Sequence, residues 1–262
     1  MKKTIRLIMI IGVSASCQLL SLGTPWAPKP YPQLEPISIK PQPPIAVPEG
    51  CDKLLSRGCA VTSSTPDPLI GELFYVTDGV KEHDASTYVE LDRGLQWIQI
   101  DLGGECEIHA VCIWHYADLR AYHDVICQIS NDPEFKDGVI IVFNNDHDNS
   151  AGFGIGKEMD YVETCFGRPF AVDAVKGRYV RCYSNGSTHS NSTGSGNGTT
   201  LINCYTEIEV FGKPLKEPQK TEGSKTSPMS EANTKLYDNL PEPPQGKVWL
   251  KIEYPRGIFR TE

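Results

Sequence analysis

The 262-residue chain has no surplus of positive charge: 25 Lys and Arg stand against 33 Asp and Glu, a formal net charge of −8. Neutralising nucleic-acid phosphates needs the reverse balance and a clustered basic face, so a general nucleic-acid binder is excluded. Long apolar runs are also missing, and the one near the start, Leu7 to Val13, is far shorter than the roughly 20 residues that cross a bilayer as a helix. Helical periodicity of useful length is absent from the middle of the chain. No two cysteines stand in the C-x-x-C spacing of a zinc ribbon, which argues against zinc. Hydrolytic motifs are absent as well, with no G-x-S-x-G elbow, no H-E-x-x-H pair and no Cys/His nucleophile arrangement. The run Gly152-Phe153-Gly154-Ile155-Gly156-Lys157 lacks the Walker spacing, the hydroxyl residue after Lys and a βαβ context, so it is not a phosphate loop.

What is present divides the chain by composition. Residues 1–16 place Lys2, Lys3 and Arg6 before the short apolar run and a set of small residues, the order of a cleaved export signal. Ser14-Ala15-Ser16-Cys17 resembles the lipobox of bacterial lipoproteins, although Ser14 stands where Leu is usual. That resemblance implies a diacylglycerol on Cys17 and, with Gln18 following, an anchor in the outer membrane. An ordinary signal peptide with an incidental cysteine is the alternative, and it implies a secreted or periplasmic protein. Residues 17–50 then form a linker in which a proline recurs every few positions from Thr24 to Pro48. Such a composition blocks helix and sheet and favours a semi-rigid polyproline II spacer.

Between Cys51 and Gly212 short apolar runs alternate with Gly, Asp, Asn and Ser. Ile98, Ile100 and Leu102 share one face by period-two alternation, as do Val180, Cys182 and Ser184, or Ile208 and Val210. The stretch Leu95 to Tyr116 reads as two apolar strands joined by a Gly-bearing turn. Repeated short strands with turn signals give an all-β sandwich. Residues 213–262 are polar and Pro-bearing, hence a flexible tail, in which Val248 to Tyr254 alternates again as an added edge strand or as a docking strand for an envelope protein. Setting Cys17 aside leaves eight cysteines, an even set that permits disulfides in an exported protein without giving their connectivity.

The order of the pieces is more specific than any one of them. Val61-Thr62-Ser63-Ser64, Thr77-Asp78-Gly79, the run Gln96 to Gly103, Arg178-Tyr179-Val180-Arg181 and the run Glu207 to Gly212 follow in series. The series resembles the discoidin, or coagulation factor 5/8 type C, family. The runs Phe143 to Asp148 and Tyr179 to Gly186 are similar to a bacterial subgroup of it. The resemblance implies a galactose-binding-like jelly roll of two packed antiparallel sheets, in which the sheets are scaffold and loops at one end bind. Trp97, Ile98 and Ile100 are then packing residues, and Asp101 and Arg181 are expected to pair across strands.

The same resemblance implies a structural calcium ion near the Asp-Gly loop, with Asp78, Asp84 or Ser86 or Thr87, and Glu207 at the matching positions. Hard oxygen ligands suit that ion. A metal-free turn capped by Asp78 is the alternative. For ligand binding, the loop from Trp114 to Asp124 offers His115, Arg120, Tyr122 and His123, residue types that stack on a sugar ring or bond to its hydroxyls. A purely structural corner explains the same loop equally well. The run Asn144 to Asn149 offers carboxylates and an imidazole for a second metal or an acid/base pair, but its Asn- and Asp-rich composition reads as a solvated loop, and it lacks the EF-hand pattern. The function expected from all this is non-catalytic recognition of a carbohydrate or glycoconjugate at the cell envelope, with docking of an envelope protein as the alternative.

Overall fold

The computed structural model describes residues 32–38, 40–82, 87–117, 119–188, 199–200, 202–216 and 236–255. The alternating apolar runs form strands, in chain order β1 (Ala46–Pro48), β2 (Lys53–Leu54), β3 (Ala60–Ser63), β4 (Val89–Leu91), β5 (Gln96–His115), β6 (Ala121–Tyr122) and β7 (Ile126–Ser130). They continue as β8 (Ile140–Asn144), β9 (Tyr161–Val162), β10 (Arg168–Ser184), β11 (Ser187–Thr188), β12 (Thr199–Thr200), β13 (Asn203–Pro214) and β14 (Lys247–Trp249). Helix among the described residues is limited to a 3-10 turn at Leu73–Thr77.

Two long strands organise the rest. β5 and β10 run antiparallel from Arg168↔Ile113 to Ser184↔Gln96. The other edge of β10 takes β7, which takes β8. The other edge of β5 is shared, with β3 on its first part and β13 on its last. Ile98, Ile100, Ile129, Val180 and Cys182 from one half of this ribbon meet Val111, Ile113, Ile208 and Val210 from the other in a single core. The fold is therefore the all-β antiparallel sandwich expected from the sequence, with one ribbon feeding both layers.

The stretch read as two strands and a turn is one strand of 20 residues. Gly103, at φ 76°, turns the chain into the second layer instead of reversing it. A second device sits at His109, which has no register partner in β10 or β13, because Ile108 and Ala110 face consecutive residues of β13, Gly212 and Phe211. This bulge shifts the phase, so the core takes Ile98, Ile100 and Ile108 from even positions and Val111 and Ile113 from odd ones.

The opposite face of the second layer, carrying Ala110, Cys112, Trp114 and Phe211, is also dry. Val47, Cys51, Phe166, Leu250, Ile252 and Tyr254 cover it. The tail expected to be flexible from residue 213 thus packs over 236–255. Its alternating segment is a short strand, β14, paired with β1, followed by the three inward residues Leu250, Ile252 and Tyr254. Burial of these three side chains, with Leu236 and Val248 packed against the same cluster, contributes to holding the segment on the sandwich. The middle of the linker is docked too: Leu34 bridges Asp160, and both Glu35 carboxylate oxygens lie 2.5 Å from the Arg168 guanidinium.

Two side-chain expectations change. With Ile98 and Ile100 inward, alternation turns Trp97 outward, where the Arg181 guanidinium lies 4.3 Å from its ring and Tyr183 and Phe153 pack nearby. Asp101 pairs with Arg178, at 2.7 and 2.8 Å, rather than with Arg181. Arg181 stands opposite Gln99 and bonds its amide oxygen instead. Cys51, Cys59, Cys106, Cys112, Cys127, Cys182 and Cys204 are free thiols.

Because Leu250 is 1% exposed, Leu250→Ala is expected to destabilise the fold by about 2–5 kcal/mol. Urea denaturation with an unchanged m-value checks this; a loss below about 0.5 kcal/mol would show that the C-terminal segment does not belong to the core.

Candidate functional site

The register brings one set of strand ends together. Ser184 faces Gln96, Tyr183 faces Ile126, Ile126 faces Asn144, and His115 faces Tyr205. The described residues 116–117, 119–125, 145–160 and 185–188 therefore gather at a single end of the sandwich. Asn203 stitches the neighbouring turns there. Its amide nitrogen donates to the carbonyls of Asp92 and Gly94 at 2.8 Å, and its oxygen accepts from Ser184 Oγ and the Gly186 amide.

The first half of the Asn144 to Asn149 run, expected to be solvated, is instead the anchor of this end, while Asp148 and Asn149 are exposed as expected. Asn144, Asn145 and Asp146 are buried. Asn145 Oδ1 accepts the Val125 amide at 2.7 Å, while its nitrogen donates to the Tyr122 carbonyl at 3.1 Å. Asp146 takes the amides of Ser150 and Ala151 at 3.0 and 2.8 Å. Buried amides and carboxylates are tolerable because each finds partners of this kind. Gly156 is pressed against the same segment, and a Cβ there would fall 2.4 Å from the Asn144 carbonyl oxygen.

The four residues expected to bind a ligand separate into two pairs. His115 is fully buried and Tyr122 is 1% exposed; their rings stack at 4.0 Å, beside Tyr205. His115 Nδ1 donates to the Cys204 carbonyl at 2.9 Å, and the Tyr122 hydroxyl donates to the Tyr116 carbonyl at 3.2 Å. Neither can touch a ligand, because the loop folds both rings into the core as the structural corner. Burial pushes the His115 imidazole down to about 4, only partly opposed by the Cys204 bond.

Arg120 and His123 remain at the surface, each half-buried. The His123 ring is held at both nitrogens, by Asp124 Oδ2 at 3.0 Å and Thr188 Oγ1 at 2.9 Å. Burial acts to lower its pKa, but the bond to Asp124 and the charges of Asp124, Asp160 and Asp148 outweigh it and raise the group. Carboxylate oxygens of Asp124, Asp146 and Asp148 lie within 4.8 Å of one another beside this ring. On the same loop Tyr116 stacks obliquely on Tyr88, ring centroids 4.6 Å apart, and Arg120 is close enough to act on the Tyr88 hydroxyl electrostatically.

A residue missed in the sequence lies beneath this surface. Glu163 is 1% exposed and its carboxylate accepts three backbone amides, from His115 at 2.9 Å, Thr164 at 3.0 Å and Gly167 at 3.2 Å. Burial nevertheless pushes it up to about 7 against those bonds and the charge of Arg168. Its neighbours Val162 and Thr164 gave no periodic signal that would mark it.

Around the Asp-Gly turn the structure unites two of the expected calcium ligands. Glu207 Oε2 accepts the Gly79 amide at 2.9 Å, and Asp78 Oδ1 caps the turn through the Val80 amide at 2.7 Å. The Thr87 hydroxyl donates to the Glu82 carbonyl, and Asp84 and Ser86 lie outside the described residues. Glu207 Oε1 is buried without a hydrogen-bond partner, the kind of acceptor a hard cation takes. Other cations already serve the neighbouring oxygens: Arg57 donates to the Asp78 carbonyl at 2.8 Å, and Lys81, itself 3% exposed, lies 2.6 Å from Glu209.

A separate cavity of about 480 Å³ lies between residues 40–44 and the C-terminal segment, with Phe166, Leu250, Ile252 and Tyr254 in its wall. The Tyr237 hydroxyl there is committed to the Ile252 backbone, donating at 2.9 Å and accepting at 2.8 Å. The Tyr254 hydroxyl bonds to that of Tyr237. The two tyrosine hydroxyls are thus already committed in this cavity, whose wall is mostly apolar, and the loop end, with its several polar and charged rim groups, is the better candidate.

No protein-family model matches the chain, and no curated protein matches it. Among solved structures it is similar to chitosan-binding module 1 of a chitosanase/glucanase from Paenibacillus sp. IK-5, at 20% identity over 61% of this chain and 99% of that one, with a TM-score of 0.40. It is also similar to the lectin domain of lectinolysin complexed with Lewis B antigen, at 16% identity over 63% and 98% of the two chains, TM-score 0.40. A third is a fucose-binding module, SpX-3, of Streptococcus pneumoniae, at 15% identity over 60% and 96%, TM-score 0.41.

The two loop histidines are expected to titrate on opposite sides of an ordinary imidazole, His115 near 4 and His123 above 6.5. For His115 the unfolded chain binds the extra proton, so its contribution to stability is lost as pH falls from about 6.5 towards 4. For His123 the folded state holds the proton more tightly, so its contribution is lost as pH rises through its raised pKa. Two-dimensional NMR of the imidazole resonances against pH checks both; a His115 midpoint above 6 would contradict its burial.

Proposed function

We propose that the chain is a non-catalytic carbohydrate-binding module displayed at a bacterial cell envelope, with its site on the loop end around Arg120 and His123. The observation that supports it is the fixed ring of His123, clamped between Asp124 and Thr188 at the rim of a rigid sandwich. Sugar hydroxyls are read by donors and acceptors held in place before binding, and here Asp124, Asp148, Thr188 and Arg120 supply both kinds. The Tyr88 and Tyr116 rings add apolar area for the C–H face of a pyranose. Hydrolysis by Asp146 and Asp148 is a poorer reading, because Asp146 is fully buried with both oxygens bonded to backbone amides and does not face a cleft. Display at the envelope, by a lipid on Cys17 in the outer membrane, rests on the pattern of residues 1–18. A calcium ion at the Asp78–Glu207 turn would be structural, drawn to Glu207 Oε1.

On a glycan array that includes chitosan, Lewis and fucosylated oligosaccharides, the full chain is expected to bind at least one sugar. Arg120→Ala should weaken that binding roughly tenfold or more, the loss of about 1.4 kcal/mol typical of one good polar contact, and His123→Ala should weaken it indirectly by releasing Asp124 and Thr188 from the ring that fixes them. Melting temperatures within a few degrees of the parent would show that the fold survives. Equal binding by both variants would remove the site from this end. In a parallel melt, calcium should raise the parent's melting temperature but not that of Asp78→Ala; no response to calcium or chelator would remove the ion.

A further inference from the structure

Away from the loop end, three side chains of different chemistry converge where the linker meets the sandwich. They are Cys51, immediately after the β1 turn, and Glu107 and His109 on β5. One potential ligand atom from each lies within 4.8 Å of the other two. Cys51 is fully buried, His109 is 8% exposed, and the Glu107 side chain is 19% exposed. His109 Nε2 and Glu107 Oε1 are 2.9 Å apart.

The backbone explains why the two strand residues meet the cysteine. Glu107 and His109 flank the inward Ile108 and so share the outer face. His109 is the bulged residue, free of a register partner on either side, and bulges re-aim side chains in this way. The opposing strand is pressed close at this point, since a Cβ on Gly212 would fall 2.1 Å from the Glu107 carbonyl oxygen. Cys51 is held by a hydrogen bond that its backbone N–H donates to the Pro48 carbonyl at 2.9 Å and by packing within the outer cluster.

We propose that Cys51, Glu107 and His109 form a binding site for a divalent transition metal of the zinc class, with a fourth position open to water. Thiolate, imidazole and carboxylate together are the ligand set such ions take, at about 2.0–2.3 Å, which places donors about 3.5 Å apart in a tetrahedron. The present spacing reaches that with side-chain adjustments alone. Lys213 holds the place of the cation in the metal-free protein, its ammonium 3.0 Å from Glu107 and its side chain 43% exposed, so it can swing into solvent when an ion enters. Binding replaces the thiol proton, which is released to water as the sulfur–metal bond forms. Asp52, next in the chain and exposed, adds negative charge close to the site without belonging to it. The ion would fasten the entry segment, and through β1 the strand β14, to the centre of β5.

Cobalt(II) is the probe. The reduced full chain titrated with Co²⁺ is expected to develop the near-ultraviolet absorption of a cobalt–thiolate bond and the visible bands of a four-coordinate ion, both abolished by added Zn²⁺. Cys51→Ser should lose the thiolate band, and His109→Gln and Glu107→Gln should each weaken Co²⁺ binding about tenfold or more. Lys213→Ala should tighten it. Circular dichroism identifies any variant that fails to fold, and the remaining variants then decide. Absence of a thiolate band in the parent, or an equal band in Cys51→Ser carried by another thiol, would overturn the site.

Discussion

The pairing of β5 with β10 is the constraint on which the molecule depends. One antiparallel ribbon serves both layers, so the other strands of its sheet are positioned by where they join it, directly or through a neighbour: β3, β7 and β8 on the half that runs into Gly103, β13 with β2 and β4 on the half that leaves it. A ribbon shared in this way couples the layers covalently as well as through the core. It also demands a break in phase, because a strict period of two cannot keep the same face inward after the chain has turned. The bulge at His109 supplies that break. Without it Val111 and Ile113 would face outward, and Ala110, Cys112 and Trp114 would compete for the core.

The loop end inherits its rigidity from buried polar residues rather than from apolar packing. Asn145 and Asn203 spend their side chains on backbone groups of other loops, Asp146 on amides of its own loop, and Glu163 on the amides of His115, Thr164 and Gly167. Irregular backbone needs such partners wherever it is shielded from water. Polar side chains serving as internal struts leave few groups over for a ligand, which is why the candidate contacts shrink to the rim around His123, Arg120 and the Tyr88–Tyr116 pair.

How far this was legible in the sequence follows from the range of the signals involved. Alternation in Gln96 to Leu102 and in Glu207 to Phe211 announced strands and inward faces directly, because period-two patterning is a local property. The two-layer architecture followed from the order of those runs. What stayed hidden was set by distant partners. His115 and Tyr122 look like sugar ligands in a loop, and only the packing of Tyr205 and Tyr161 around them reveals a core stack. The Asn144 to Asn149 run has the composition of a solvated loop, since composition does not tell whether an Asn bonds to water or to the Val125 amide. Arg178 rather than Arg181 meets Asp101 through the irregular register between Gly177 and Tyr179, which no alternation count could foresee. Spacing rules for zinc look for ligands close in the chain, whereas Cys51 reaches Glu107 and His109 only through the fold.

The attachment of the entry segment has a mechanical meaning. A pull applied to the chain ahead of Pro32 meets the Leu34–Asp160 bridge and the Glu35–Arg168 ion pair first, then the three-residue ladder between β1 and β14. Because Arg168 opens β10 and Asp160 closes the 145–160 connection, the first two contacts pass the load directly to the ribbon and to the loop end. The entry segment is thus stitched to the ribbon and to the loop end alike, so a force on it is shared between them.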